Sequence, residues 1–363
     1  MGKWYHWWVG WLVTSATITW LSNDFLTATF DTGSGLHILA VVGGTTLLGV
    51  SILFCHDRFQ TVNPIQRRFP VLYWGRWVAV HLGPLFRQYW FANDLEEKPF
   101  DRVTRNWIYA TSKGKKNTIG FGSQVDYDAV GTYTVMPAMF KRVKGEQKSY
   151  HRLIGKATGV GNPMTLKHFV NISAMSYGSL SANAVSALNQ GAGKAGILHN
   201  TGEGGFSPYH QKGGDVIFQL GTGKFGCRDD DGDFSDAAFA EITAHDNVRM
   251  VELKLMQGAK PGKGGILPKE KITAEIAAIR KVPVGQDVLS PPRHDQFDDL
   301  AGMFDFLDRL RGMADKPVGI KIVAGHIEEI EAIAEAMAAE PTRGPDFISV
   351  DGGEGGTGAA PLV

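Results

Sequence analysis

The sequence predicts an α/β fold: a (β/α)8 TIM-type barrel with about six of its eight units present, preceded by an N-terminal transmembrane helical hairpin. Three observations predict it. Strand-like and helix-like stretches alternate from about Leu166 onward. Most of the strand-like runs end in a polar or glycine-rich loop, the arrangement by which a parallel barrel gathers its chemistry on one face. Two uncharged runs, each close to the roughly 20 residues that cross a bilayer as helix, open the chain. The expected organisation is a hairpin over residues 1–56, a cytoplasmic connecting region over 57–165 and the barrel over 166–363.

Composition narrows the function classes. The chain has 363 residues with 37 basic and 37 acidic side chains, so it offers no net field for nucleic acid. Its 45 glycines exceed the usual share without a collagen-like period, which points to loops that bring backbone close to a partner. Cys55 and Cys227 lie far apart in unlike surroundings, so neither a disulfide framework nor zinc-ligand spacing is legible, and no metal site is expected.

The first uncharged run extends from Trp4 to Asn23 and the second from Leu36 to Cys55. Trp4, Trp7, Trp8 and Trp11 gather at one end of the first and Trp20 near the other, as interfacial anchors do. A secretory signal suits these indoles and the single preceding charge poorly. The connecting loop carries Asp24 and Asp31, while Arg58, Arg67, Arg68, Arg76 and Arg87 follow the second run. The positive-inside bias therefore expects a multi-pass protein of the inner (plasma) membrane with its later residues in the cytoplasm. Val71 to Phe91 mixes aromatic residues with Arg76 and Arg87, a composition suited to a membrane surface or to packing under a barrel. Lys113, Lys115 and Lys116 read as a solvated loop.

Strand-like runs are expected at Phe169–Met175, Ile197–Asn200, Met250–Leu255, Val284–Leu289, Val318–Val323 and Phe347–Val350. Helix-like spacing occupies Ser181–Ala192, Lys269–Arg280, Gln296–Met313 and Ile327–Ala339. Six units can be counted before the chain reaches Val363, so the sequence is expected to be a barrel truncated at its C-terminus. Within the stretch Met250–Gly265, Val251, Leu253 and Leu255 alternate with Glu252, Lys254 and Met256. The strand then gives way to a Gly/Pro loop bearing Gln257 and Lys260. Taken alone, Lys254 reads as a solvated hairpin lysine and Glu203 as a solvated loop carboxylate. An inward-pointing ammonium would need an anion or an electron-rich ring beside it.

Five segments carry a family resemblance. Asn171-Ile-Ser-Ala-Met-Ser-Tyr-Gly-Ser-Leu-Ser181, Asn200-Thr-Gly-Glu-Gly-Gly205, Lys254-Leu-Met-Gln-Gly-Ala-Lys-Pro-Gly262, Ser290-Pro-Pro292 and the run Asp351-Gly-Gly-Glu-Gly-Gly-Thr-Gly358, continuing to Pro361, stand in one order. Together they resemble the successive motifs of the FMN-binding domain of glutamate synthase, and in particular its shorter, membrane-anchored members. The resemblance implies a flavin-dependent oxidoreductase that reduces 2-iminoglutarate, formed from 2-oxoglutarate and ammonia, to L-glutamate. Residue by residue it implies FMN contacts from Met175, Ser176, Gly178, Gln219, Lys254, Asp351, Gly352, Gly353, Gly355 and Gly356. It implies substrate binding by Gln257 and Lys260, and catalytic roles for Glu203 in proton transfer and for Lys254 beside the reduced flavin.

The resemblance also bounds what the chain is expected to need. No amidotransferase domain precedes the barrel, so nitrogen is expected from free ammonia, an amine or an amidotransferase subunit. The family's iron–sulfur ligands would lie beyond Val363, and a ferredoxin or reductase subunit would supply electrons. A truncated barrel is further expected neither to fold fully nor to hold FMN tightly. Two alternatives inside this reading are an N-methylglutamate synthase using methylamine and a non-catalytic membrane-tethered scaffold. A barrel nucleotide dehydrogenase would instead need a catalytic cysteine, for which Cys227 is the candidate. His199, His210, His294 and His326 share no metal-ligand spacing and read as structural or surface residues. Asp229–Asp233 has only a superficial likeness to a calcium loop.

Overall fold

The computed structural model describes residues 35–98, 100–115, 126–133, 136, 138–140, 150–260 and 264–353. The chain divides into two compact units, Met1–Met136 and Pro137–Val363.

In the first unit the described elements are helices: α1 (Gly35–Phe59), α2 (Pro64–Arg68), α3 (Leu72–Phe86) running into a π-helical turn at Arg87–Phe91, and α4 (Arg102–Ser112). Asn63 caps α2 by accepting from the amides of Ile65 and Gln66, and Pro64 sits at the first helical position where its missing N–H costs nothing. Asp57, fully buried at the end of α1, ties the three consecutive helices together. Its carboxylate accepts from Gln66 Nε2 (2.7 Å), from the Val71 amide (2.8 Å) and from Trp74 Nε1 (3.0 Å).

The expected transmembrane hairpin is not found among the described residues. Its first arm, Trp4–Asn23, lies outside the described residues. The second arm is helical within α1, but among the described residues no helix is long and apolar enough to cross a membrane. Gly43, Gly44, Thr45 and Thr46 dilute the apolar run, and His56, Asp57 and Arg58 close it.

The second unit is α/β. An antiparallel ribbon of β1 (Arg152–Ile154) and β2 (Met164–Leu166) leads into a five-stranded parallel sheet of β3 (His199–Asn200), β4 (Val216–Leu220), β5 (Val248–Lys254), β8 (Val318–Ile322) and β9 (Ile348–Val350). Spatial order follows chain order, without the reversal that marks a doubly wound open sheet. A parallel bridge from Ile172 to His199 extends the same progression by one step. The helices are α5 (Ala182–Ala195), α6 (Asp236–Thr243), α7 (Ala274–Arg280), α8 (Leu300–Ala314) and α9 (Ile327–Ala339). Ser181, Ser235, Thr273 and Asp299 cap the first four, each side chain accepting from the amide three residues on.

One face of the sheet is apolar. Val216, Phe218, Leu220, Val251, Leu253, Val318, Ile320 and Ile322 form a single core with Phe239 of α6 and Phe304, Leu307 and Leu310 of α8. The alternate residues, Gln219, Glu252, Lys254, Lys321 and Ser349, occupy the other face, as the two-residue period of a strand requires. That face is concave. Strands two places apart in a flat sheet lie about 9.5 Å from each other, yet Asn200 of β3 and Ser349 of β9 both hydrogen-bond Glu252 of the central strand. The sheet therefore curls as half of a barrel.

Two expected elements are corrected. Val284–Leu289 is not a barrel strand: only β7 (Val288–Leu289) is extended, and it pairs antiparallel with β6 (Ile266–Leu267) in an excursion between β5 and β8. No strand stands between β5 and β8, which pair directly; the sheet instead includes β4 between β3 and β5, whose run Val216-Ile-Phe-Gln-Leu220 shows no alternation until the two faces are known. Of Phe169–Met175, Ile172 makes a bridge to His199 and the Met175 amide donates to the Asn200 carbonyl, without a continuous strand.

Candidate active site

Because all five strands run parallel, their C-terminal ends lie at one rim, and the concave face rises towards it. At the floor sits Glu252, 2% exposed. Its carboxylate accepts from Asn200 Nδ2 (2.8 Å), Gln219 Nε2 and the Ser349 hydroxyl. Four strands are thus laced through one buried side chain whose two oxygens are both met by donors. Gln219, expected at a flavin edge, donates one of its two amide N–H bonds to this floor.

One turn of the pleat above, Lys254 ends β5. Its Nζ lies 2.9 Å from Glu203 Oε1 and donates to Gln257 Oε1 at 2.8 Å. Lys260, in the following loop and equally buried, reaches the same Glu203 oxygen at 3.5 Å. Glu203 comes from the loop after β3 and packs against Gly221, where a Cβ would meet its carboxylate at 2.5 Å. Four residues assigned from two separate stretches of sequence thereby meet at one point. Burial works against ionisation of Glu203, but the Lys254 ammonium and then Lys260 outweigh it and hold its carboxyl below the usual glutamate range. Burial likewise pushes Lys254 below the usual lysine range, against the pull of Glu203.

The loop Met175–Gly178 stands beside this cluster and is gripped from beneath. His210 is fully buried, and its Nε2 lies 3.0 Å from the Met175 carbonyl. A carbonyl only accepts, so Nε2 carries the proton and Nδ1 accepts from the Ser207 hydroxyl at 2.8 Å. Arg280 of α7, also buried, donates from Nη2 to the Tyr177 carbonyl at 3.0 Å and lies 5.2 Å above the Phe225 ring. Its Nε has no partner among the described residues. Gly178 adopts φ +102, and a side chain there would press on the Arg280 guanidinium, so glycine is required twice over. His294 repeats the device on the other side, its Nε2 donating to the Lys254 carbonyl at 3.0 Å.

At the far end of the sheet, Lys321 of β8 pairs with Asp351 at 3.0 Å, and the second Asp351 oxygen accepts from the Gly258 amide at 3.0 Å. A Cβ on Gly258 would strike the Gly352 carbonyl at 2.6 Å, so the loops after β5 and β9 touch through bare backbone. Asp351, Gly352 and Gly353 therefore stand beside the Gln257–Lys260 loop, whereas Gly355 and Gly356 lie outside the described residues.

Sequence reasoning assigned no role to Glu252, Arg280, Lys321 or Ser349, and read His210 and His294 only as structural or surface residues. A signal existed for two of them: Glu252 and Lys321 are charged residues set between apolar neighbours in a strand. The histidines give none, because their partners are backbone carbonyls distant in sequence. His326, at the start of α9, is exposed and makes no capping bond. Cys227 lies in the apolar core, where burial pushes its thiol up, so it is not a catalytic cysteine in a barrel loop. In the Asp229–Asp233 turn, Asp229 accepts from the amides of Asp231 and Asp233. Among the described residues no cluster has the ligands for a metal ion.

Residues 132–363 match the conserved region in glutamate synthase. The chain belongs to this family. Relatives include the glutamate synthase large subunit-like protein YerD of Bacillus subtilis, 38% identical over 347 residues, which cover 85% of this chain and 66% of that protein. The archaeal-type glutamate synthase (NADPH) of Thermotoga maritima is 39% identical over 210 residues, covering 57% of this chain and 38% of the relative. The archaeal glutamate synthase (NADPH) of Archaeoglobus fulgidus is 42% identical over 195 residues, covering 53% and 34%. The chain thus spans less than two thirds of the length of these relatives. The matched region holds every residue of the cluster just described.

Proposed function

We propose that this chain carries the synthase centre of a glutamate-forming flavoenzyme, in which 2-iminoglutarate derived from 2-oxoglutarate and ammonia, or an amine, is reduced to L-glutamate. The observation that carries the reading is the buried pair of ammonium groups, Lys254 and Lys260, closed over the single carboxylate of Glu203. With Arg280 on the same rim, three buried cations gather around Glu203, while Glu252 on the floor is met by the uncharged donors of Asn200, Gln219 and Ser349, and this concentration of positive groups at the rim suits a dicarboxylate substrate and an electron-rich cofactor.

The residues present fit FMN. Met175, Ser176 and Gly178 offer a loop held rigid by His210 and Arg280, Lys254 offers a cation at a strand end, and Asp351, Gly352 and Gly353 offer a bare-backbone cradle against Gly258. Gly355 and Gly356 would complete that cradle, and Gln219 would reach the pyrimidine edge of the flavin. When bound, FMN supplies the reducing equivalents. The chain's own groups do the rest. Lys260 and Gln257 bind the carboxylates of the substrate, Lys254 stabilises negative charge without reorganisation, and Glu203, ionised between two lysines, holds or moves a proton at its Oε1. A complete (β/α)8 barrel, an amidotransferase or electron-donor subunit and an iron–sulfur cluster belong to this reading through the family alone.

The test uses Lys260. Replacing it by Ala should weaken 2-oxoglutarate binding by about 2–5 kcal/mol, the cost of removing one partner of a buried charge pair, while flavin absorbance of the purified protein is retained. Equal affinity in parent and variant, measured by calorimetry, would overturn the substrate assignment.

A further inference from the structure

The first unit presents its apolar residues to the outside. Helix α3 has no buried residue along its whole length. Leu72 is 75% exposed, and at the end of the segment Trp90 and Phe91 are 73% and 76% exposed. Apolar exposure on this scale marks a surface made for contact. A second, independent feature is its charge. Between Asp57 and Asp94 the sequence has no acidic residue and five arginines, Arg58, Arg67, Arg68, Arg76 and Arg87, all exposed. The carboxylate at the boundary of this stretch is removed from the surface as well, because Asp57 is turned inward and consumed by Gln66, Val71 and Trp74. Arg76 and Arg87 are about three turns apart, which sets them on a common side of the segment.

We propose that residues 58–93 form an interfacial, non-spanning contact with a lipid surface rich in anionic headgroups. The occupant follows from the combination. A second protein copy would bring its own five arginines against these five, whereas a bilayer surface offers anionic headgroups for the guanidinium groups and an acyl boundary for Val78, Leu82, Leu85 and Tyr89, exposed on the side of the helix away from Arg76 and Arg87, with Trp90 and Phe91 as anchors at its end. Tryptophan and tyrosine prefer that boundary, and each basic residue near an anionic leaflet adds to the attraction. The contact needs no helix long enough to cross the membrane.

The experiment measures partition of the full 363-residue chain into phosphatidylcholine vesicles with and without phosphatidylglycerol, by co-sedimentation at low and high salt. The expected result is a preference for the anionic vesicles of about tenfold or more that shrinks as salt rises. The quadruple replacement of Arg67, Arg68, Arg76 and Arg87 by Gln should erase that preference. Trp90→Ser with Phe91→Ser should lower binding to both vesicle types, with helix content unchanged because both side chains are exposed. The preference is the deciding readout, since the uncharged run Trp4–Asn23 would draw the chain equally to either vesicle. Equal partition of the parent, an undiminished preference in the arginine variant, or tryptophan and phenylalanine replacements that leave lipid binding intact but dissolve a dimer would each overturn the proposal.

Discussion

On β5 the side chains of Val251 and Leu253 enter a dry core, whereas those of Glu252 and Lys254, each one residue away, enter a network of hydrogen bonds and charges. The same alternation runs through β4 and β8, with Phe218 and Leu220 against Gln219, and Ile320 and Ile322 against Lys321. The helix-facing side is held by area and shape, which tolerate exchange of one hydrocarbon for another of similar volume. On the concave side each donor has a named acceptor, and the value of a residue is fixed by that partner. Stability thus resides on one face and chemistry on the other, so the two can be perturbed separately.

The largest expected effect is on the apolar side. Phe304→Ala should cost about 3–5 kcal/mol in urea unfolding, because Phe304 is 2% exposed and its removal leaves a cavity against β8 and α9. Ligand binding per folded molecule should be unaffected. A loss of binding out of proportion to the loss of folded protein would show that the faces are coupled.

Somewhat smaller is the pH response of His199, which lies fully buried on the side of β3 opposite Asn200 with no partner for either ring nitrogen among the described residues. Burial, with the neighbouring His210, lowers its pKa to about 4. Its folded pKa is depressed below the unfolded value, so between about pH 6.5 and 4 the unfolded chain binds the extra proton and stability falls as pH falls. The full contribution is about 3 kcal/mol. His199→Phe should flatten this part of the stability–pH curve, and an unchanged slope would sink the assignment. Glu203 acts in a lower window: its depressed carboxyl contributes stability above the ordinary glutamate pKa that is lost as pH drops through its folded value.

On the concave side, Glu252→Ala strands the amide donors of Asn200 and Gln219 and should cost about 2 kcal/mol, with water filling part of the vacated space. Glu252→Gln should cost less but misorient Gln219. The smallest effect belongs to the surface pair Arg293–Asp298, exposed at both ends, where Arg293→Ala should change stability by under about 0.5 kcal/mol. A larger change there would break the contrast between buried, partnered charge and solvated charge.

The sequence by itself determined the alternation of strands and helices, the helix Ile327–Ala339 to the residue, and the segments that carry Glu203, Lys254, Gln257 and Lys260. It could do so because a strand's two-residue period and a helix's 3.6-residue period are local, and because a glycine-rich loop after an apolar run is a local signal too. Only the tertiary structure decided that β4 and not Val284–Leu289 joins the parallel sheet, since a short apolar run is the same string whether it pairs parallel or folds back on Ile266–Leu267. Only it showed that Lys254 and Lys260 share one carboxylate, that Glu252 binds four strands together and that His210 and His294 hold backbone carbonyls. Those contacts join residues dozens of positions apart, and they form where the curl of the sheet brings strand ends together. No local pattern encodes that convergence.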